Sequence, residues 1–340
     1  MVNGTGFLIF HKMNILITGY AGFIGFHLTK KLLGIKIIKN IYCLDNFNDY
    51  YDVKLKKHRH DHIVSLDKSK KCSFFKINIK NKSLLLKKFK KKKIDFIFHF
   101  AAQAGINYSI SNPDTYLNSN LIGFFNILEL TRENKIKNLI YASTSSVYGN
   151  NNGFRLREND LNNKPLQFYS ATKIANEAMS FAYSNLYEFN SVGLRFFTVY
   201  GPWGRPDMAI YKFTQDIMNK KKIKLNKIDS NYVCRDFTYI DDVIISIILI
   251  FKYMNKKKIV DIFNIGNGKP ESIKSVVQLI EKNLNQKAKT NIKKLGKAEM
   301  NVTNCDISKF QKKFKYKPNT KIESGIKKFI CWFKEYKNLS

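Results

Sequence analysis

Met13-Asn-Ile-Leu-Ile-Thr-Gly19-Tyr-Ala-Gly22-Phe-Ile-Gly25-Phe-His-Leu-Thr-Lys-Lys-Leu-Leu33 is the stretch that decides the fold. The run Ile15–Thr18 is continuously apolar up to its last residue, the character of a strand buried on both faces. Three glycines follow at G-x-x-G-x-x-G spacing, and Phe23–Leu33 then continues with helical periodicity. A junction of this kind needs glycine for three reasons. One glycine permits the tight turn, one lets backbone approach a pyrophosphate, and one lets helix pack on strand. The free N–H groups at the helix start then face the phosphates, so Phe23 and Ile24 join Gly19, Gly22 and Gly25 as candidate cofactor contacts. The spacing alone is weak evidence. Its weight comes from Asp45, which closes a second strand over Ile41–Leu44 and stands 20 residues after Gly25. A carboxylate there accepts from the hydroxyls of an adenosine ribose. Asn46 follows it and no Arg stands nearby to meet a 2′-phosphate, so the expected cofactor is NAD.

Outward from this unit, strands and helices alternate. Phe74–Ile77, Asp95–Ala101, Asn138–Ser143 and Val192–Phe197 read as strands; Leu84–Lys92, Tyr116–Asn134 and Tyr169–Tyr187 read as helices. Such alternation predicts βαβ units and an α/β fold: a Rossmann-type doubly wound parallel sheet. After Tyr200 four Gly and Pro residues fall within six positions, the mark of a functional loop. The remainder reads as a smaller, interleaved C-terminal α/β substrate domain. The expected division is an NAD-binding domain over 13–197 with a returning segment at about 236–265. Residues 198–235 and 266–340 then form the substrate domain.

Composition narrows the function class. The 340 residues carry 59 Lys+Arg against 26 Asp+Glu, a formal net charge of +33. Only seven of those cations are arginine, the residue that base readers and phosphate clamps favour for its planar fork. The excess is Lys alongside abundant Asn and Ile, all with A/T-rich codons, so we read it as base composition rather than a nucleic-acid surface. The Lys runs 90–93 and 256–258 are solvated faces in this reading. Five scattered cysteines without a CxxC pair argue against a disulfide scaffold and against zinc, and no metal is expected. The longest apolar run, Val243–Phe251, is far short of the ~20 residues that span a bilayer. A cytoplasmic protein with no membrane partner is expected.

Tyr169-Ser-Ala-Thr-Lys173 places a phenol and an amine four residues apart in a helical stretch, on one face. A free phenol titrates near ~10 and is a poor base at neutral pH unless a cation lowers its pKa. Lys173 can supply that charge and can also hold a nicotinamide ribose. A Y-x-x-x-K pair by itself is common on solvated helices; following a dinucleotide loop, it becomes a candidate acid–base pair. Thr144, at the end of the strand before it, is placed to hydrogen-bond the same substrate oxygen.

With these residues assembled, the chain resembles the extended short-chain dehydrogenase/reductases that act on nucleotide sugars. The resemblance rests on Gly19–Gly25, Asp45, Ala101-Ala102-Gln103-Ala104-Gly105, Ser143–Gly149, Tyr169 with Lys173, and Arg235-Asp-Phe-Thr-Tyr-Ile-Asp-Asp242. Three longer strings begin at Gly22, Asp45 and Leu194, the last running through Arg-Phe-Phe-Thr-Val-Tyr-Gly-Pro-Trp-Gly-Arg-Pro-Asp-Met-Ala209. They are similar to the bacterial UDP-glucuronate 4-epimerases, and the likeness spans Met13 to about Lys337. It implies that Asn78, Ile79, Ala101, Ala102 and Gln103 join the NAD contacts. It also implies that Tyr169, Lys173 and Thr144 are catalytic, and that Ser145, Thr198, Arg205 and Arg235 contact a UDP-uronic acid. Arg235 then meets the UDP phosphates, and Arg205 with Thr198 faces the C5 carboxylate. Relatives commonly pair through two helices per subunit, which implies a homodimer with Tyr116–Asn134 and Tyr169–Tyr187 at the interface. Decarboxylases and dehydratases of this superfamily carry an acidic residue just after the catalytic Thr or Ser. Thr144-Ser-Ser-Val-Tyr-Gly149 has none. Three positions depart from the pattern: Asn78 for an Asp at the adenine, Asn107 for an Arg, and Lys297 for an Asp.

Two other readings compete: a UDP-glucose 4-epimerase or UDP-glucuronate decarboxylase of the same superfamily, and a binding protein that keeps the fold without catalysis. The intact Thr144, Tyr169 and Lys173 set argues against the latter. Residues 1–12 show no periodicity before the abrupt strand at Met13, so translation is expected to start at Met13. Mass spectrometry of the native N-terminus should find Met13 or Asn14 first; recovery of residues 1–12 overturns that start.

Overall fold

A computed structural model describes residues 12–149, 155–160, 164–228, 231–296 and 299–339; the expected leader and Lys297 lie outside the described residues. Seven strands form the main sheet: β1 (Met13–Thr18), β2 (Ile38–Asp45), β3 (Cys72–Lys76), β4 (Phe96–His99), β5 (Asn138–Thr144), β6 (Asn190–Phe196) and, from far along the chain, Val260–Ile265. Reading across the sheet, Val260–Ile265 is followed by β6, β5, β4, β1, β2 and β3, with every neighbouring pair parallel. The order reverses between β1 and β4, and the crevice outside the strand ends at such a reversal is where ligands bind in doubly wound sheets.

The residues of β1 and β4 show why both faces are covered. Ile15 and Ile17, with Phe96 and Phe98, join one buried cluster. Leu16 and Ile97, the residues between them, join another on the opposite face. Side chains alternate with period two along a strand, so continuously apolar strands demand helices on both sides. The helices Phe23–Leu33 and Ile240–Met254 cover the first face; Lys82–Phe89 and Gly123–Glu133 cover the second. Phe96, Phe98 and Phe251 pack ring on ring at 4.7–5.7 Å, anchoring the long apolar helix to the sheet. The apolar run Val243–Phe251 thus lies in the core, and among the described residues no helix is long and apolar enough to cross a membrane.

Two small sheets stand beside the main one. In the first, β7 (Thr198–Tyr200) pairs parallel with β10 (Cys234–Tyr239), which pairs antiparallel with β12 (Pro270–Ser272). In the second, β8 (Lys222–Ile228) lies between β9 (Asn231–Tyr232) and β13 (Lys289–Lys294). With these named, Val260–Ile265 is β11. The chain therefore leaves the main sheet after β6, builds β7–β10, and returns through β11 to the edge of β6.

Three features differ from the sequence expectation. A helix over Val53–Leu66 follows β2, capped by the Asp52 carboxylate on the Lys54 N–H. Its Lys- and His-rich face hid the apolar spacing. The predicted helix Tyr116–Asn134 is a helical run in three parts: Pro113–Tyr116, a π-helical segment Leu117–Ile122, and Gly123–Glu133. A π segment leaves no compositional trace, because it depends on partners elsewhere in the chain; such segments recur at functional sites. The strand expected at Asp95–Ala101 stops at His99, and Ala101 onward forms cleft wall instead.

Candidate active site

The crevice at the strand-order reversal opens into a cavity of about 570 Å³. The glycine turn forms its floor. Gly19 has φ +75°, a conformation other L-residues rarely adopt, and a Cβ there would sit 2.6 Å from the Ala101 nitrogen. At Gly25 a Cβ would sit 2.1 Å from the Gly19 carbonyl oxygen, so helix and strand touch through bare backbone. Gly22 caps the helix with no side-chain hydrogen bond and no acidic residue in the first turn, leaving its N-terminal dipole directed at the cavity. Asp45 closes β2 with its carboxylate oriented by N–H donors from Ala21 (3.2 Å) and Phe47 (2.8 Å). Burial pushes the Asp45 carboxyl up, and the Phe47 N–H and Lys56 charge pull it back. Asn46, Ile77, Asn78, Ile79, Ala101, Ala102 and Gln103 complete this half of the wall. A flat adenine, a ribose diol and a pyrophosphate each find a matching wall here, so the residues fit NAD.

The other half holds the candidate chemistry. Thr144, Ser145, Tyr169, Lys173, Thr198, Arg205 and Arg235 all line the same cavity, which brings together every candidate catalytic and substrate residue. The Thr144 side chain accepts from the Ser146 N–H at 3.2 Å, starting a 3₁₀ turn over Ser145–Tyr148. The Lys173 amine donates to the Ala142 carbonyl at 2.9 Å, fixing the helix Phe168–Tyr187 to β5. Burial raises the Tyr169 phenol pKa; the Thr144 hydroxyl and the Arg205 guanidinium act against it. Burial lowers the Lys173 ammonium to about 8, against the opposing charge of Glu177. The Lys173 amine is thus anchored on backbone, and Thr144 with Arg205 supplies the pull on the phenol.

Neither substrate arginine is a free fork. Arg205 donates from Nε (3.0 Å) and Nη2 (2.5 Å) to the Asp207 carboxylate, and Arg235 donates from Nη1 to the Cys234 (2.9 Å) and Asn301 (3.0 Å) carbonyls. A charge brought into a wall of low polarity needs such partners.

Several lining residues carried no local sequence signal. Lys56 is buried with its amine on the Asn48 carbonyl at 2.6 Å, and Asn48 reaches across the cleft to the Gln103 side chain at 3.4 Å. Behind the lining residue Gln103, the buried Asn120 of the π segment accepts from the Gln103 N–H and donates to its carbonyl and to Thr172. Tyr50 and Asp207 were visible only as members of longer strings. An acidic residue two places after an arginine is the one cue that could have identified Asp207 as its partner.

The fold and site are those of an NAD-using enzyme of nucleotide-sugar type, and the chain belongs to the NAD dependent epimerase/dehydratase family, matching it over residues 15–266. It is 41% identical to Protein CapI of Staphylococcus aureus, over 95% of this chain and 99% of that one. It is 39% identical to UDP-glucuronate 4-epimerase 2 of Arabidopsis thaliana, over 95% of this chain and 76% of the relative. Among solved structures it superposes on the UDP-glucuronic acid 4-epimerase of Bacillus cereus, crystallised with UDP-glucuronic acid and NAD, with TM-score 0.86 and 32% identity. That match covers 95% of this chain and 100% of the other.

Gly25→Ala should abolish cofactor retention, because the new Cβ overlaps a backbone oxygen that cannot move aside. Nucleotide released from the acid-denatured, purified variant should be absent where the wild type yields NAD; equal NAD content in the two contradicts the cradle.

Proposed function

We propose that this protein interconverts UDP-glucuronate and UDP-galacturonate by transient oxidation at C4, with NAD held through the cycle. The observation that carries this reading is the convergence of Tyr169, Lys173, Thr144, Arg205 and Arg235 on the cavity that also holds the glycine turn and Asp45. When bound, NAD supplies a reversible acceptor for the C4 hydrogen. Tyr169 takes the proton from the 4-hydroxyl, holds it on its phenol oxygen while the ring turns, and returns it to the same oxygen when the opposite face is reduced. Thr144 shares that oxygen, the Thr144 hydroxyl and the Arg205 guanidinium favour the ionised phenol, and Lys173 holds the nicotinamide ribose. Arg235 meets the diphosphate and Arg205 with Thr198 meets the C5 carboxylate, charge-assisted contacts that leave C4 near Tyr169. The oxidised uronic acid is a β-keto acid, prone to losing CO₂. The stretch Thr144–Gly149 carries Ser145 and Ser146 and no carboxylate, so it offers no acid or base to promote that loss.

The same reading divides the chain into the NAD-binding part 13–197, with a returning segment at about 236–265 that carries β11, and the sugar-binding part 198–235 and 266–340. It places the protein in the cytoplasm, in keeping with five free cysteines. It also makes the protein a homodimer. Leu117, Ile122 and Phe125 on one helical run, with Phe181, Leu186 and Tyr187 on Phe168–Tyr187, are exposed large apolar side chains on neighbouring helices. Patches of this kind mark association surfaces.

Tyr169→Phe should cut kcat by ~10²–10⁴-fold while NAD and UDP-glucuronate still bind; near-normal turnover sinks the mechanism. Because Lys173, as the anchor of the nicotinamide ribose, is a cation below about 8 and neutral above it, kcat/KM should fall as pH rises through that value. A profile flat to pH 10 removes Lys173 from its role. Phe181→Glu should convert a dimer to a monomer in light scattering after gel filtration; a wild-type monomer, or an unchanged dimer in the variant, contradicts the assigned interface.

A further inference from the structure

Asp207 stands beside Arg205 in the cavity wall and takes the guanidinium edge formed by Nε and Nη2, at 3.0 and 2.5 Å. A guanidinium has a second bidentate edge, formed by Nη1 and the remaining Nη2 proton, and its planarity fixes that edge once the first is held. Beyond Asp207 and the neighbouring Tyr50 hydroxyl, the guanidinium has no hydrogen-bond partner among the described residues. Asp207 is itself held: the Tyr50 hydroxyl donates to its Oδ2 at 3.0 Å from across the cleft, and the Arg205 cation lies 5.9 Å from the Tyr50 ring centroid. Arg205, Asp207, Tyr50 and Tyr51 all line the cavity, so this assembly faces the space a sugar nucleotide would enter.

We propose that Asp207 is the positioning residue that sets selectivity for a uronic acid, by presenting the free edge of Arg205 to the sugar carboxylate and by neutralising the arginine when that carboxylate is absent. This rests on the reading of Arg205 as the carboxylate partner. A lone arginine in the cavity wall, partly screened by solvent, would leave an uncompensated charge in the free enzyme and would hold any carboxylate more tightly. Paired with Asp207 it is neutral overall, so a uronate gains the directional contact of one edge without the full attraction of a bare cation. Release of the product stays fast. A neutral hexose meets an arginine that is already satisfied and neither gains nor loses a partner there.

The test compares the wild type with Asp207→Asn and Tyr50→Phe, measuring equilibrium binding of UDP-glucuronate and of UDP-glucose by calorimetry, with kcat and KM for UDP-glucuronate. Asp207→Asn removes the compensating charge and should tighten UDP-glucuronate about 10-fold while lowering kcat through slow release. UDP-glucose affinity should stay within about 2-fold, so the selectivity ratio rises. Tyr50→Phe keeps the charge and should leave that ratio within about 2-fold while weakening uronate binding modestly. Equal loss of affinity for both nucleotides in Asp207→Asn means Asp207 only holds the wall together and overturns the proposal. An unchanged ratio overturns it as well. Should the wild type itself fail to prefer UDP-glucuronate over UDP-glucose, the parent reading of Arg205 falls first. That outcome is seen without either variant.

Discussion

The Arg59 guanidinium is fully buried and ties the two sides of the cleft together. From the helix Val53–Leu66 it donates to the Ala21 carbonyl (2.8 Å) inside the glycine turn, to the Tyr51 hydroxyl (2.8 Å), and to the Trp203 carbonyl (2.5 Å) in the Gly/Pro loop before Arg205. His27, on the first helix, makes a parallel link to the Pro202 carbonyl at 2.9 Å. Burying an arginine is costly unless its donors are satisfied, and one of them, Nε, has no partner among the described residues. What this cation secures is register. The loop that carries Arg205 is referenced to the glycine turn, so the two halves of the cavity wall are positioned from one origin.

A second buried ion pair does the equivalent work on the other side. Glu177, one turn beyond Lys173, accepts from Arg195 Nε (3.0 Å) and Nη2 (2.9 Å) and from the Ser143 hydroxyl (2.5 Å). Ser143 precedes Thr144, and Arg195 lies on β6. The helix bearing Tyr169 and Lys173 is thereby fastened to the strand end bearing Thr144, within a sheet whose register is complete from Asn138↔Asn190 to Thr144↔Phe196. Preorganisation of this kind is what lets a phenol hold a proton without following the sugar as it turns.

The sequence disclosed the parts of this site that are encoded locally. The glycine turn was legible because its geometry imposes residue type at fixed offsets, and the Tyr169–Lys173 pair because helical spacing puts four-apart residues on one face. Asp45 was legible from its distance to the turn. Arg59 was not: a single Arg in a Lys- and His-rich helix looks solvated, and only the fold brings Ala21 and Trp203 to it from 38 and 144 positions away. Asn120 was hidden because a π segment shifts which residues face inward. Arg205 and Arg235 line the cavity, but their pairing with Asp207 and with backbone carbonyls appears only in three dimensions. Of the net charge of +33, the loudest compositional feature, Lys56, Lys173, Arg205 and Arg235 are the cations that line the cavity among the described residues, with Arg59 behind the wall.

The account stands or falls on the sugar nucleotide that the protein makes. Purified protein incubated with UDP-glucuronate and no added reductant, followed by proton NMR of the anomeric region, should show UDP-galacturonate growing to a stable mixture with its 4-epimer and no pentose signal. A UDP-pentose product, or turnover of UDP-glucose alone, would contradict it.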